Sequence, residues 1–181
     1  MSRVNVPNTF TGFRVISVPI LWTLALLGLQ QPFGWLFALA ALTDALDGYF
    51  ARKLGLVSEF GAWFDSFADN LIYTSMPFWL WMLLPEFFSA NRTIIICLAV
   101  LYGLDLSAGV YKYDLMVHYH LWSSKLAAIA LFVFFATAFL WQPNQTAFFI
   151  TASIVGISLL EEILVTLTSK KHDSDRKSLF S

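Results

Sequence analysis

Cysteine and charge are both scarce in this chain of 181 residues. The single cysteine, Cys97, excludes an internal disulfide, and with it the small scaffolds that disulfides hold together. Only 13% of the residues are charged, about half the share found in soluble globular domains. The net charge of −1 argues against nucleic acid as a partner, because nucleic-acid-binding proteins carry a basic surplus.

Apolar residues take the place of the missing charge. Hydrophobic residues make up 58% of the chain, including 18 Phe and 7 Trp, and the mean hydropathy is +0.68. Such a chain has too little polar material to cover a water-facing surface, so we predict an all-α integral membrane protein. Its length predicts one membrane domain, which we place at residues 1–169, followed by a polar tail at 170–181.

The apolar residues are arranged in stretches that match the thickness of a membrane, which takes about 20 residues of helix to cross. Turn-forming residues at 30–34 and 142–145 interrupt the two longest uncharged runs. Before the first stretch, residues 2–14 predict a short interfacial helix, with Phe10 and Phe13 toward lipid. The predicted spans lie near residues 15–30, 34–54, 61–84, 92–112, 122–141 and 146–168.

Basic residues are distributed unevenly over the predicted loops. Six spans place both termini on one side, together with the loops between spans two and three and between spans four and five. That side collects ten of the eleven basic residues, and Arg92 alone lies on the other. Because basic residues favour the cytoplasmic side, the termini are predicted to be cytoplasmic, in a membrane of the bacterial inner type. The ten residues are Arg3, Arg14, Arg52, Lys53, Lys112, Lys125, Lys170, Lys171, Arg176 and Lys177.

Four aspartates lie on the second and third predicted spans. Asp44 and Asp47 are three residues apart and Asp65 and Asp69 are four apart, so each pair occupies one helical face. Ionisable side chains inside a membrane are costly and mark functional sites. Four carboxylates at one depth require cations, and oxygen-only ligands favour Mg²⁺ or Mn²⁺ over zinc. Two such cations are suited to displacement at phosphorus.

The same aspartates also admit a cation-coupled transporter as an alternative. Transporters are typically built from inverted repeats with interrupted helices near the midplane, and the sequence shows neither feature. A membrane scaffold without catalysis gives no reason for four converging carboxylates. An enzyme with a cytoplasm-facing cation site is therefore the favoured interpretation.

The spacing of these residues resembles the complete signature of the CDP-alcohol phosphotransferase (phosphatidyltransferase) family. That family consists of six-span membrane enzymes, commonly homodimers, that use two Mg²⁺ or Mn²⁺ ions. Its members cleave a CDP-linked donor, transfer the substituted phosphate to an alcohol and release CMP. The resemblance therefore implies a lipid donor, most simply CDP-diacylglycerol, and a small alcohol acceptor. The string reads Asp44-x2-Asp47-Gly48-x2-Ala51-Arg52-x8-Gly61-x3-Asp65-x3-Asp69.

The resemblance also implies a role for each residue of the signature. Asp44, Asp47 and Asp65 correspond to metal ligands. Asp69 corresponds to the general base for the acceptor hydroxyl and to a further metal ligand. The residues expected to shape the nucleotide and diphosphate site are Gly48, Ala51, Arg52 and Gly61.

Residues outside the signature leave the acceptor open between one like glycerol 3-phosphate and one like serine. The N-terminal string Val6-Pro7-Asn8-x2-Thr11-x2-Arg14 resembles phosphatidylglycerophosphate synthases, whereas Ser66 directly after Asp65 is similar to phosphatidylserine synthases. Glu161 and Glu162, in the sixth span, are given no role. The candidates for acceptor binding are Arg14, Asp105, Lys112 and Lys125.

Overall fold

The computed structural model describes residues 6–54, 59–113 and 121–169, with side chains over 9–43, 60–61, 63–113 and 121–169. This part of the chain is built from helices and contains no strand, which confirms the all-helical prediction. In chain order the helices are α1 (Val6–Leu26), α2 (Gln30–Leu54), α3 (Glu59–Leu83), α4 (Pro85–Tyr113), α5 (Trp122–Leu140) and α6 (Gln145–Thr168).

Four helices of the described chain are long and apolar enough to cross a membrane. They are the segment Thr9–Leu26 of α1 and the whole of α4, α5 and α6. Their presence supports an integral membrane protein. Among the described residues, helix α3, which carries Asp65 and Asp69, is not one of the four.

Prolines mark helix starts at two places where the sequence predicts breaks. The turn predicted at 30–34 lies earlier, because Gly28 has a positive φ of 67° and ends α1. Pro32 then falls in the first turn of α2. Similarly, α4 begins at Pro85 rather than near residue 92. Proline suits the first turn of a helix, where its missing N–H would have no intrahelical partner.

The N-terminal segment differs from its prediction. A separate short helix over 2–14 is not present in the described residues, because α1 runs without interruption from Val6 to Leu26. No turn separates residue 14 from residue 15, and Gly12 and Pro19 both lie inside the helix. The polar beginning and the apolar remainder of this segment therefore form one continuous helix.

The remaining boundaries agree closely with the predictions. Helix α3 ends at Leu83, directly before the predicted stop, and α5 ends at Leu140. The break at 142–145 is confirmed, since Asn144 caps α6 and its side chain accepts a hydrogen bond of 2.9 Å from the Ala147 N–H. Asparagine is a preferred N-cap because it satisfies an N–H that has no helical partner.

The described chain divides into two compact units. The first contains α1, α2, α3 and the segment Phe139–Trp141. Its core is aromatic: Phe33 meets Trp79 and Phe139 edge-on, with ring centroids 5.2 and 4.6 Å apart. The side-chain amide of Gln31 donates to the Leu140 carbonyl at 2.8 Å. This unit holds the helices that carry the signature.

The second unit contains the remainder of α4, α5 and α6. Near the start of α4, Asn91 and Gln145 exchange two hydrogen bonds through their side-chain amides, at 3.2 and 2.5 Å. A small apolar cluster of Ala127, Val155 and Leu159 joins α5 to α6. Polar pairing at one end and apolar packing further along thus hold these helices together.

Candidate functional site

The first half of the signature lies on α2. Asp44 and Asp47 both fall within this helix, three residues apart and therefore on one face. The helical backbone thus agrees with the predicted register of this pair. The side chains of all the α2 signature residues lie outside the described residues: Asp44, Asp47, Gly48, Ala51 and Arg52.

The second half of the signature lies on α3. Asp65 and Asp69 are one turn apart on this helix, as predicted, and Gly61 precedes Asp65 by a further turn. The Asp65 side chain is 44% exposed and the Asp69 side chain 25% exposed. Both carboxylates therefore keep an open side from which a ligand can approach.

One buried guanidinium joins these two carboxylates. Nη1 of Arg14, on α1, donates to Oδ1 of Asp69 at 2.5 Å, and Nη2 donates to Oδ1 of Asp65. The Arg14 side chain is only 1% exposed. A charge buried this deeply is tolerated because it is paired, and the planar guanidinium presents two parallel donors to two acceptors. Arg14, which the sequence predicts at the acceptor, thus lies with the predicted metal ligands.

The residues directly after these aspartates, Ser66 and Asn70, are polar and neutral. Asn70 is buried, and its side-chain amide donates to the Ser66 carbonyl at 2.8 Å. This bond ties Asn70 to the preceding turn of α3. The position directly after the fourth aspartate therefore supplies no cation, and Arg14 provides the positive charge instead.

The chemistry of this site fits a divalent cation. Asp65 and Asp69 offer oxygen ligands from one face of α3, and both already converge on a single positive group, the Arg14 guanidinium. Carboxylate oxygens are the ligands that Mg²⁺ and Mn²⁺ prefer. The described side chains include no cluster of three or more carboxylate, imidazole or thiol groups. The side chains of Asp44 and Asp47 are not among the described ones, so this statement does not include them.

The other acceptor candidates lie in the second unit, where the structure gives each a different environment. Asp105 is buried on α4. Nζ of Lys112 donates to the carbonyls of Thr166 and Leu167 at 2.6 and 2.8 Å, near the end of α6. Lys112 therefore caps a helix, since the final carbonyls of a helix lack intrahelical partners.

Lys125 differs from Lys112 in its contacts. Its side chain is exposed, and Nζ lies 5.2 Å from the centre of the Trp122 ring. A cation at this distance over an aromatic face is attracted weakly when it remains hydrated. The ammonium group of Lys125 thus differs from that of Lys112, which donates to carbonyls at the end of α6.

A cluster of serines and glutamates joins α5 to α6, and sequence reasoning missed its serines. Oε1 of Glu162 accepts hydrogen bonds from Ser124 at 2.7 Å and from Ser158 at 3.2 Å. Oε2 of Glu161 accepts one from Ser123 at 2.5 Å. Serine pairs in apolar helices are a weak signal, because serine also packs helices closely. The cluster gives both glutamates a structural role in the second unit.

Helices apolar enough for a membrane, together with a carboxylate pair on α3, define an integral membrane protein with an acidic site. The family profile described as CDP-alcohol phosphatidyltransferase matches residues 4–167. The chain belongs to the CDP-alcohol phosphatidyltransferase family and is a transferase.

Curated relatives extend over most of the chain. A protein of Rickettsia typhi is 33% identical over 160 aligned residues, which cover 86% of each chain. A protein of Rickettsia prowazekii is also 33% identical, covering 86% of this chain and 85% of its own. A protein of Salmonella choleraesuis is 30% identical and covers 88% of this chain and 93% of its own. All three are named CDP-diacylglycerol–glycerol-3-phosphate 3-phosphatidyltransferase.

Proposed function

We propose that this enzyme transfers the phosphatidyl group of CDP-diacylglycerol to glycerol 3-phosphate and releases CMP. The observation that carries the proposal is the similarity over most of the chain to three proteins named for this reaction. The reaction also suits a membrane enzyme, because the diacyl donor stays in the bilayer while the acceptor enters from water.

In this proposal the signature aspartates hold two divalent cations, Mg²⁺ or Mn²⁺. Asp44, Asp47, Asp65 and Asp69 serve as ligands. For the pair on α3 the site geometry supports this role, since Asp65 and Asp69 already converge on one positive group. When bound, the cations supply positive charge that stabilises the departing CMP phosphate.

Asp69 acts as the general base. Its carboxylate accepts the proton of the acceptor hydroxyl, whose oxygen then bonds to the phosphorus that carries diacylglycerol. The bond from that phosphorus to the bridging oxygen breaks, and the electron pair leaves with CMP. The partial exposure of Asp69 supports this role, because an acceptor from water must reach it.

The remaining signature residues bind the nucleotide. Gly48, Ala51 and Gly61 leave space for a bulky polar ligand near the helix backbones. Arg52 binds the diphosphate, for which a planar guanidinium is well suited.

Among the acceptor candidates we assign the phosphate of glycerol 3-phosphate to Lys125. Its exposed ammonium supports this choice, whereas the ammonium of Lys112 is held by carbonyl groups and Arg14 is held by aspartates. Asp105 is buried and carries the wrong charge to bind a phosphate.

We further propose that the chain crosses the membrane six times and functions as a homodimer. Both termini and the aspartate site then face the cytoplasm. The placement of ten of the eleven basic residues on that side supports the orientation. The beginning of α1 would lie at the interface, since Arg3 precedes the apolar span of that helix and Arg14 lies in its first half.

The experiment that tests the function supplies purified protein in detergent with CDP-diacylglycerol, Mn²⁺ and one acceptor at a time. Glycerol 3-phosphate is expected to yield phosphatidylglycerophosphate, identified by mass spectrometry. Serine, tested in parallel, is expected to yield no lipid product. Phosphatidylserine as the main product would contradict the proposed acceptor and leave the family assignment intact.

A further inference from the structure

Arg14 is the most deeply buried charged side chain in the described part of the chain, with 1% of its surface exposed. It bridges α1 to α3 through Asp65 and Asp69, which lie 51 and 55 residues away in sequence. Both contacts use the Oδ1 atom of the aspartate. The positive group thus lies on the interior side of the two carboxylates.

The two carboxylates present their other side to the surroundings. Asp65 is 44% exposed and Asp69 is 25% exposed, in contrast to the guanidinium that they share. A dissolved cation therefore approaches the same carboxylates from the side opposite Arg14. The guanidinium thus sets one positive charge against these two carboxylates.

Resting on the proposed divalent-cation site, we propose that Arg14 is an internal counter-cation that competes with the metal ion for Asp65 and Asp69. In the metal-free protein it relieves the repulsion between two carboxylates one helical turn apart. It also holds α1 against α3. When a divalent cation binds, the guanidinium and the metal repel each other, because both lie close to the same pair of carboxylates.

Competition has two consequences that a simple structural ion pair lacks. The metal-free protein is stabilised by Arg14, whereas the affinity for metal is lowered by it. Removing the positive charge must therefore move stability and metal affinity in opposite directions. A residue that only orients the two ligands would move both in the same direction, because its loss would loosen the site.

The test measures Mn²⁺ affinity of the purified full-length protein in detergent micelles, by electron paramagnetic resonance of free Mn²⁺. Thermal unfolding without metal is followed in the same preparations. Arg14→Gln is expected to bind Mn²⁺ at least about tenfold more tightly than wild type. Its metal-free Tm is expected to be lower. Arg14→Lys keeps the positive charge but loses the two-pronged contact. Its Mn²⁺ affinity and its metal-free Tm are both expected to lie between those of wild type and those of Arg14→Gln.

The matched control is Arg92→Gln, which removes one positive charge from an exposed position on α4. This variant is expected to keep the Mn²⁺ affinity and the metal-free Tm of wild type. Equal or weaker Mn²⁺ binding in both Arg14 variants would overturn the competition. If Arg14→Gln does not fold, Arg14→Lys is compared with wild type instead. Tighter Mn²⁺ binding with a lower metal-free Tm then supports the competition, and equal or weaker Mn²⁺ binding overturns it.

These outcomes separate this inference from the proposed function. Binding of Mn²⁺ with equal affinity in all variants overturns the role of Arg14 and leaves the cation site intact. Failure of every variant to bind Mn²⁺ overturns the cation site itself, and the role of Arg14 with it.

Discussion

At the scale of single residues, the aspartates of α3 are held by a side chain that the signature does not contain. Helical spacing alone predicts that Asp65 and Asp69 share a face, and the structure agrees. Arg14 is more than 50 residues away in sequence. Its pairing follows from how α1 packs on α3, which periodicity within one helix cannot reveal. The shared face of Asp65 and Asp69 could therefore be predicted from the sequence, but their pairing with Arg14 could not.

The proposed base gives the sharpest prediction at this scale. Asp69→Asn keeps the shape of the side chain and an oxygen for Arg14, but an amide does not accept the proton of a hydroxyl. The value of kcat for CMP release is expected to fall about 10²–10⁴-fold, with Tm little changed.

The kcat prediction is checked by steady-state kinetics on preparations with matching unfolding curves. Glu86→Gln, which removes an exposed acid near the start of α4, serves as the control and should retain wild-type kcat. A kcat for Asp69→Asn within a few-fold of wild type would remove Asp69 from the role of base.

At the scale of helices and turns, the sequence predicts which segments are helical better than where they begin. Proline and polar residues at 30–34 and 85–91 resemble loops, yet both segments lie in helices. The signal that decides the first boundary is Gly28, whose φ of 67° suits glycine and ends α1. Proline alone does not distinguish the first turn of a helix from the residue that stops one.

The packing of α2 against the end of α5 gives a prediction about stability. A Cβ added at Gly34 would lie 2.9 Å from Cδ2 of Leu140 and 3.2 Å from the backbone carbon of Phe139. Gly34→Val is therefore expected to lower the free energy of unfolding by about 1–3 kcal/mol, because the overpacked helices must move apart.

Thermal or denaturant unfolding in detergent measures this change. Gly103→Val is the matched control, since it introduces the same side chain in a helix where a Cβ would meet no atom within 4 Å. Equal destabilisation in the two variants would show that the close approach at Gly34 carries no energetic weight.

At the scale of the whole molecule, composition predicts a membrane protein and the charge distribution predicts its orientation. The described helices agree with the first prediction, because four of them are long and apolar enough to span. Helix α3 is not among these four, so that hydropathy and length of the described helices support four crossings and leave the sixfold crossing as a proposal. The proposed topology therefore needs a direct test.

Topology is tested with single cysteines on a Cys97→Ser background. In intact cells, a membrane-impermeant maleimide is expected to label Gln142→Cys, in the segment between α5 and α6, and not Ser174→Cys, in the C-terminal tail. Labelling of Ser174→Cys after permeabilisation is the control for reactivity. Labelling of both positions in intact cells, or of Ser174→Cys alone, would contradict cytoplasmic termini.

The proposed reaction is tested most directly by acceptor-dependent release of CMP from CDP-diacylglycerol, measured with the purified wild-type protein. CMP is expected to appear only when glycerol 3-phosphate and Mn²⁺ are both present, in amounts equal to the phosphatidylglycerophosphate formed. No CMP release with glycerol 3-phosphate and Mn²⁺ together, from protein that unfolds cooperatively, would contradict the proposed function.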